Sequence, residues 1–133
     1  MSEIAKFRFV GYRITNSSIS FKESVEISKE TDIEFMQSRG VNQKENKFRL
    51  ILEVNIKDKN ESLLINVICN GYFEFDKDLP EEEMSIFFNT SAPAILFPYL
   101  RAYVSTLTAL AGIPPVTLPT VNLSGGVLDN EKE

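Results

Sequence analysis

The chain has 133 residues, 43% of them hydrophobic and 25% charged, with a formal net charge of -5, which is the size and composition of a single globular domain. The acidic balance argues against a phosphate-binding surface, because nucleic-acid affinity rests on clustered Lys and Arg releasing counterions. One cysteine, Cys69, excludes an internal disulfide and suits a reducing compartment, and the lack of histidine removes the commonest general base and metal ligand.

Residues 6–14 are strand-like: Phe7 and Phe9 fall on one face and Val10, Tyr12 and Ile14 on the other, and the change of phase beside Gly11 predicts a β-bulge. Ile19 and Phe21 either continue this strand or pack beyond it. A weaker strand starts at Asp32–Met36, and its polar continuation through Asn46 suits a sheet edge or a long hairpin. Next, Phe48, Leu50, Leu52, Val54 and Ile56 alternate with mostly polar neighbours, the period of a strand with one buried face. A polar turn over 58–61 leads to a returning strand with Leu63, Ile65, Val67, Cys69, Gly71, Phe73 and Phe75 on one side, so the two form a hairpin. Its other side carries Leu64, Ile68 and Tyr72 beside Asn66 and Asn70, and is therefore partly covered or open to a partner. Four antiparallel strands are expected.

Pro80 and the acids Glu81, Glu82 and Glu83 open a short helix, since proline fits a first turn and carboxylates suit the positive end of the macrodipole. Asn89, Thr90 and Ser91 should interrupt it, with Ser91 capping a longer helix that Pro98 kinks or delays. Between Glu83 and Asp129 the only charged residue is Arg101. A helix that apolar needs cover on nearly every side, which points to an oligomer or an exposed adhesive surface. Leu96, Leu100, Tyr103, Leu107 and Leu110 form a seam suited to a helix of a second copy, while Ile95, Tyr99, Ala102, Thr106 and Ala109 make a smaller-sided face for the sheet. Gly112 closes the helix and Pro114, Pro115 and Pro119 hold the next segment extended. Residues 124–133 read as a mobile tail of a single domain spanning 1–133.

Nothing in this pattern assigns a catalytic residue, a metal site or a cofactor. The glycines form no phosphate loop, and Cys69 on the apolar face of a strand reads as a small core residue. The chain is expected not to be an enzyme. Residues 1–18 lack the charged, apolar and cleavage regions of a secretory signal, and the longest apolar stretch is broken by Pro93, Pro98 and Arg101. A cytoplasmic protein without membrane insertion is expected.

Ala94-Ile-Leu-Phe-Pro-Tyr-Leu-Arg101, followed by a helix, by Gly112-Ile-Pro and by Leu118-Pro-Thr-Val-Asn-Leu123, resembles the SecB family of bacterial export chaperones. Ile19-Ser-Phe21 and Asn70-Gly-Tyr-Phe73 are similar to further family stretches. The resemblance implies an α+β fold, a four-stranded antiparallel sheet with one long kinked helix, a short preceding helix and a truncated C-terminal segment. It implies a homo-oligomer, a dimer of dimers, that holds unfolded or precursor polypeptides in apolar grooves without ATP. The positions matching that groove are Leu63, Phe73, Tyr99, Ile113, Val116, Leu118, Leu123 and Val127. The SecA motor docks on an acidic sheet surface in the family; Leu64 keeps its apolar member, whereas Lys22 and Asn66 stand where acids are expected. A dedicated chaperone of one partner, such as an antitoxin, and a small-ligand or lipid-binding sheet protein are the alternatives.

Overall fold

The computed structural model describes residues 6–119. Four strands, β1 (Phe7–Phe21), β2 (Thr31–Asn42), β3 (Lys47–Asp58) and β4 (Leu63–Phe75), form one antiparallel sheet in the order β1-β4-β3-β2. The hairpin β3–β4 is its centre, and β1 and β2 are its two edges. Helix α1 (Glu81–Ile86) runs through a π-helical turn (Phe87–Ser91) directly into α2 (Ala92–Leu110), which lies on one face of the sheet.

The bulge expected beside Gly11 is present, and a second one falls between Ile14 and Asn16. Each inserts one residue and reverses the alternation. Phe7 and Phe9 pair with Phe75 and Phe73, Tyr12 and Ile14 pair with Gly71 and Cys69, and Ile19 and Phe21 pair with Ile65 and Leu63. All six therefore stand on the helix-covered face, which joins into one surface what period two alone divides between two faces.

Because β1 and β2 lie at opposite edges, residues 22–30 must cross the end of the sheet. Asp58, at the end of β3, holds this crossover. Its carboxylate is 1% exposed and accepts the backbone N–H groups of Ser28 (2.8 Å), Ser62 (2.7 Å) and Leu63 (2.9 Å) and the Ser62 hydroxyl (2.8 Å). Burial on its own raises the pKa, but these four hydrogen bonds outweigh it and hold the carboxyl at about 2, against an ordinary value of 3.8. The unfolded chain thus takes up this proton at higher pH than the folded one, so the stabilisation is complete above about pH 4 and is lost as pH falls through 4 towards 2. Asp58→Asn should lower the thermal midpoint by several degrees at pH 7 and remove this part of the acid dependence, as read from melts between pH 5 and 2.

Seven phenylalanines fill one end of the core. Phe7 stacks on Phe73 at 5.0 Å and on Phe87 at 4.8 Å, Phe48 stacks on Phe88 at 4.1 Å, and Phe9 and Phe75 close the group. The π turn allows this arrangement, because its widened turn brings the adjacent Phe87 and Phe88 both onto the sheet. Ala92 donates its N–H to Phe87 O, five residues back, and Ser91 has helical dihedrals with no capping bond from its side chain. The expected break and N-cap are therefore replaced by a continuous helical run, with Pro98 inside α2.

The two faces of α2 are the reverse of those expected. Leu96, Leu100, Val104 and Thr108, four residues apart, are all 0% exposed, and the first three belong to the core shared with the sheet; burying such aliphatic side chains contributes ~1.5–3 kcal/mol each. Leu96 sits over Gly71, where an added Cβ would come within 2.9 Å of both its methyls. The bare backbone of Gly71 is what lets α2 approach. Leu96 and Leu100 consequently have no surface left for a helix of another copy, Tyr103 and Leu107 are half-buried, and Leu110 alone of the seam is open, at 83% exposure. Ala94, Pro98, Ala102, Thr106 and Ala109 make the outward face.

Candidate functional site: an apolar strip along β1 and α2

The bulges in β1 carry aromatic side chains to the sheet edge, where α2 runs beside them. Tyr12 and Tyr99 stack at 4.5 Å, Phe9 packs behind Tyr99 at 5.6 Å, and Tyr103 Oη donates to Ser17 Oγ at 2.8 Å. Tyr12 is 44% exposed, Tyr99 40% and Phe21 38%, and Leu110 is more open still. Much of the large apolar surface that the described residues leave in water therefore belongs to these two neighbouring elements. Beside it, among the described residues, β1 presents an unpaired backbone edge, since only its β4 side is hydrogen-bonded.

Of the groove positions implied by resemblance, Tyr99 is on this strip. Leu63 and Phe73 are 0% and 1% exposed under α2, and Ile113 and Leu118 are 9% and 0% exposed in the same core. These four are enclosed by the chain itself, so they do not line an open groove, while Val116 is half-buried. Leu123 and Val127 lie outside the described residues, as does the tail. Tyr12 and Phe21 belong to the strip but are absent from the sequence-derived set. The signal for Tyr12 is Gly11 itself, because one inserted residue turns the next side chain inwards.

The enclosure of Ile113 and Leu118 follows from the end of α2. Gly112, at φ 87°, reverses the chain; Gly112 N–H bonds Ala109 O at 3.1 Å and Ile113 N–H bonds Thr108 O at 3.3 Å, the pairing of a Schellman cap. Residues 113–118 then run back beside the helix. Val116 N–H donates to Thr108 Oγ1 (2.8 Å), Ser105 Oγ donates to Val116 O (3.2 Å), and the Thr108 hydroxyl is in turn bonded to Val104 O (2.9 Å).

The far side of the sheet is chemically different. Asn16 donates to Asn66 Oδ1, and Asn66 donates to Glu53 Oε2 and Asn55 Oδ1, all at 2.6–2.7 Å. Leu64, 55% exposed, stands beside this amide network at a hollow of about 760 Å³ that also takes in Ser18, Glu34 and Lys57. Cys69 is fully buried, and burial pushes its thiol up to about 11, the opposite of what a nucleophile needs. Among the described residues no group of three His, Cys, Asp or Glu could hold a metal ion, and no helix is long and apolar enough to cross a membrane.

This fold, a four-stranded antiparallel sheet under one long helix, is that of the SecB-like chaperones. The sequence model of the SecB family, described as preprotein translocase subunit SecB, matches residues 10–127, and the chain belongs to this family. An uncharacterised protein of Methanocaldococcus jannaschii is 35% identical over 65% of this chain and 58% of its own length. A protein-export protein SecB of Albidiferax ferrireducens is 37% identical over 53% of this chain and 44% of its own. The chain thus spans about half the length of these curated relatives. Among solved structures, a SecB-like chaperone of Mycobacterium tuberculosis, in complex with a ChAD peptide from an antitoxin, superposes with a TM-score of 0.72 at 18% identity, covering 87% of this chain and 88% of that one.

Proposed function

We propose that this chain is an ATP-independent holdase that binds extended apolar segments of non-native polypeptides along the β1–α2 strip. The stacked Tyr12–Tyr99 pair carries this reading: two large, half-open rings on a sheet edge, in a member of the SecB family. Flat aromatic faces accept many apolar side chains without a fixed sequence, and the free edge of β1 offers N–H and C=O groups to an extended backbone. Binding the unfolded form alone draws a client away from both folding and aggregation by mass action. No nucleotide or bound group takes part.

A second copy fits the outward face of α2, where the small side chains of Ala94, Ala102 and Ala109 let another helix approach closely. The SecA motor is a further partner brought by the family; it would find Leu64 open but a lysine and an amide, Lys22 and Asn66, in place of acids. The antitoxin peptide on the mycobacterial chaperone favours, as a second reading, service to one dedicated partner.

Native mass spectrometry of the protein with reduced, carboxymethylated α-lactalbumin, without nucleotide, tests these readings together. A tetramer that captures this permanently unfolded protein and ignores its native form is expected. Tyr12→Ser with Tyr99→Ser should weaken capture about tenfold, and Ala102→Glu should divide the oligomer. Capture of one cognate partner but of no unrelated chain would select the dedicated reading, and no capture at all would reject holding.

A further inference from the structure

We infer that Gln37 and Arg39, on the helix-covered face of the edge strand β2, form with Asn89 a second binding subsite, one that takes an acidic residue of a bound polypeptide. The inference rests on the holdase reading and deepens it, because it gives the client surface a preference in charge. Gln37 pairs with Leu52 and Arg39 with Leu50, so both stand on the face that β3 fills with buried aliphatic side chains. The corresponding positions earlier in β2 hold Ile33 and Phe35, both packed against the core. Two polar residues in succession on such a face are costly unless their hydrogen-bonding groups are met.

The chain itself meets them only in part. The half-buried Arg39 guanidinium donates from Nη1 to Asn89 Oδ1 in the π turn, and Asn89 in turn donates to Ser85 Oγ at 3.2 Å. Burial pulls the Arg39 pKa below its ordinary value, and no acid among the described residues opposes the shift; a guanidinium nevertheless stays charged, with further N–H donors to place. Gln37 is 9% exposed, and its carbonyl Oε1 is buried with no hydrogen-bond partner. A donor fork and an unmet carbonyl thus stand two residues apart on one face, about 7 Å along the strand. An acidic residue of an extended chain answers both, its carboxylate taking the fork and its own backbone N–H reaching the carbonyl. A simple anion supplies acceptors alone and leaves Gln37 unmet. Among the described residues β2 has no strand on its outer side, so such a chain can lie alongside it, where Val41, 36% exposed, and the half-buried Phe35, tilted against Phe97 at 5.9 Å, receive apolar neighbours of the acid. The Tyr12–Tyr99 strip is at the opposite edge of the sheet, so this contact is separate from it.

Fluorescence anisotropy of the full chain with two labelled peptides tests the subsite: one of alternating leucine and serine with a single central glutamate, the other with glutamine in its place. The glutamate peptide should bind about fivefold more tightly. Arg39→Gln, which keeps an amide donor for Asn89, should abolish that difference and leave the affinity for the glutamine peptide unchanged. In the wild-type protein the Arg39 Nε–H and the Gln37 side-chain amide resonances should shift on adding the glutamate peptide. Equal binding of the two peptides would overturn the inference and leave holding intact, as would a glutamate preference that survives Arg39→Gln; resonances that do not move would overturn it even if the variant folds poorly. Displacement of the glutamate peptide by sodium acetate at low millimolar concentration would assign the site to a small carboxylate and overturn its polypeptide reading. Binding of neither peptide overturns it too, and holding falls with it only if carboxymethylated α-lactalbumin is also ignored.

Discussion

Phe48→Ala is expected to cost about 3–5 kcal/mol, seen as a lower urea midpoint at unchanged slope. Phe48 is 2% exposed on the central strand β3, stacked on Phe88 at 4.1 Å and tilted against Phe73 at 5.8 Å and Phe7 at 6.3 Å. Its removal leaves a cavity walled by two paired strands and a helical turn, none of which can collapse without breaking a ladder or the π turn. Against a typical total of ~5–15 kcal/mol, that loss should bring the variant close to unfolding at 37 °C. Ile86→Ala, on the 58%-exposed side of α1, is the control and should shift stability by no more than ~0.5 kcal/mol. A loss of less than ~1 kcal/mol for Phe48→Ala would mean that the aromatic group is not packed as described.

The second large effect is at Gly71. Valine there places a branched side chain where Leu96 Cδ1 and Cδ2 lie 2.9 Å, and a Phe73 ring carbon 3.2 Å, from the new Cβ. Leu96 is fully buried and has nowhere to move, so α2 must lift. Overpacking of this kind costs ~1–3 kcal/mol, and the upper part of that range is expected because the added methyl groups reach beyond a Cβ that already crowds the buried Leu96. Shortening the opposing side chain restores room, so Gly71→Val combined with Leu96→Ala should be more stable than the sum of the two single losses by at least ~1 kcal/mol. Chemical denaturation of the four proteins measures this coupling, and simple additivity would place the helix elsewhere.

The strands were legible because alternation survives in β3 and β4, where every second residue from Phe48 to Ile56 and from Leu63 to Phe75 is buried. In β1 the same rule misleads unless the bulges are counted, and only the first carries a glycine to mark it. The helix was harder. Its apolar residues surround it, so periodicity offers two faces of similar merit, and the deciding fact is the glycine on β4 that admits Leu96. No helical pattern contains that information. The SecB resemblance indicated the fold, yet it placed Ile113 and Leu118 on an open groove, because spacing along a chain does not reveal that two hydroxyls of the preceding helix draw the loop back. Asp58 looked like one more turn acid, and its role appears only once the crossover is seen to pass beneath it.

The strand order has a consequence for assembly. β3 and β4 meet through a four-residue turn and β2 joins β3 through another short one, so three strands can zip locally within microseconds. β1 pairs with β4, Phe7 opposite Phe75, and cannot do so until nearly the whole sheet has been made. Of these four strands it is the first made on the ribosome and the last to find its partner. During that wait it is an extended segment with phenylalanines and tyrosines in water, much like the clients proposed above. The two bulges and the run Thr15-Asn-Ser-Ser18 give it a twisted, polar stretch that pairs poorly with a wrong neighbour. Errors in building this protein should therefore concentrate on β1 docking, and a slow refolding phase should follow substitutions along β1 while the β3–β4 hairpin forms at an unchanged rate.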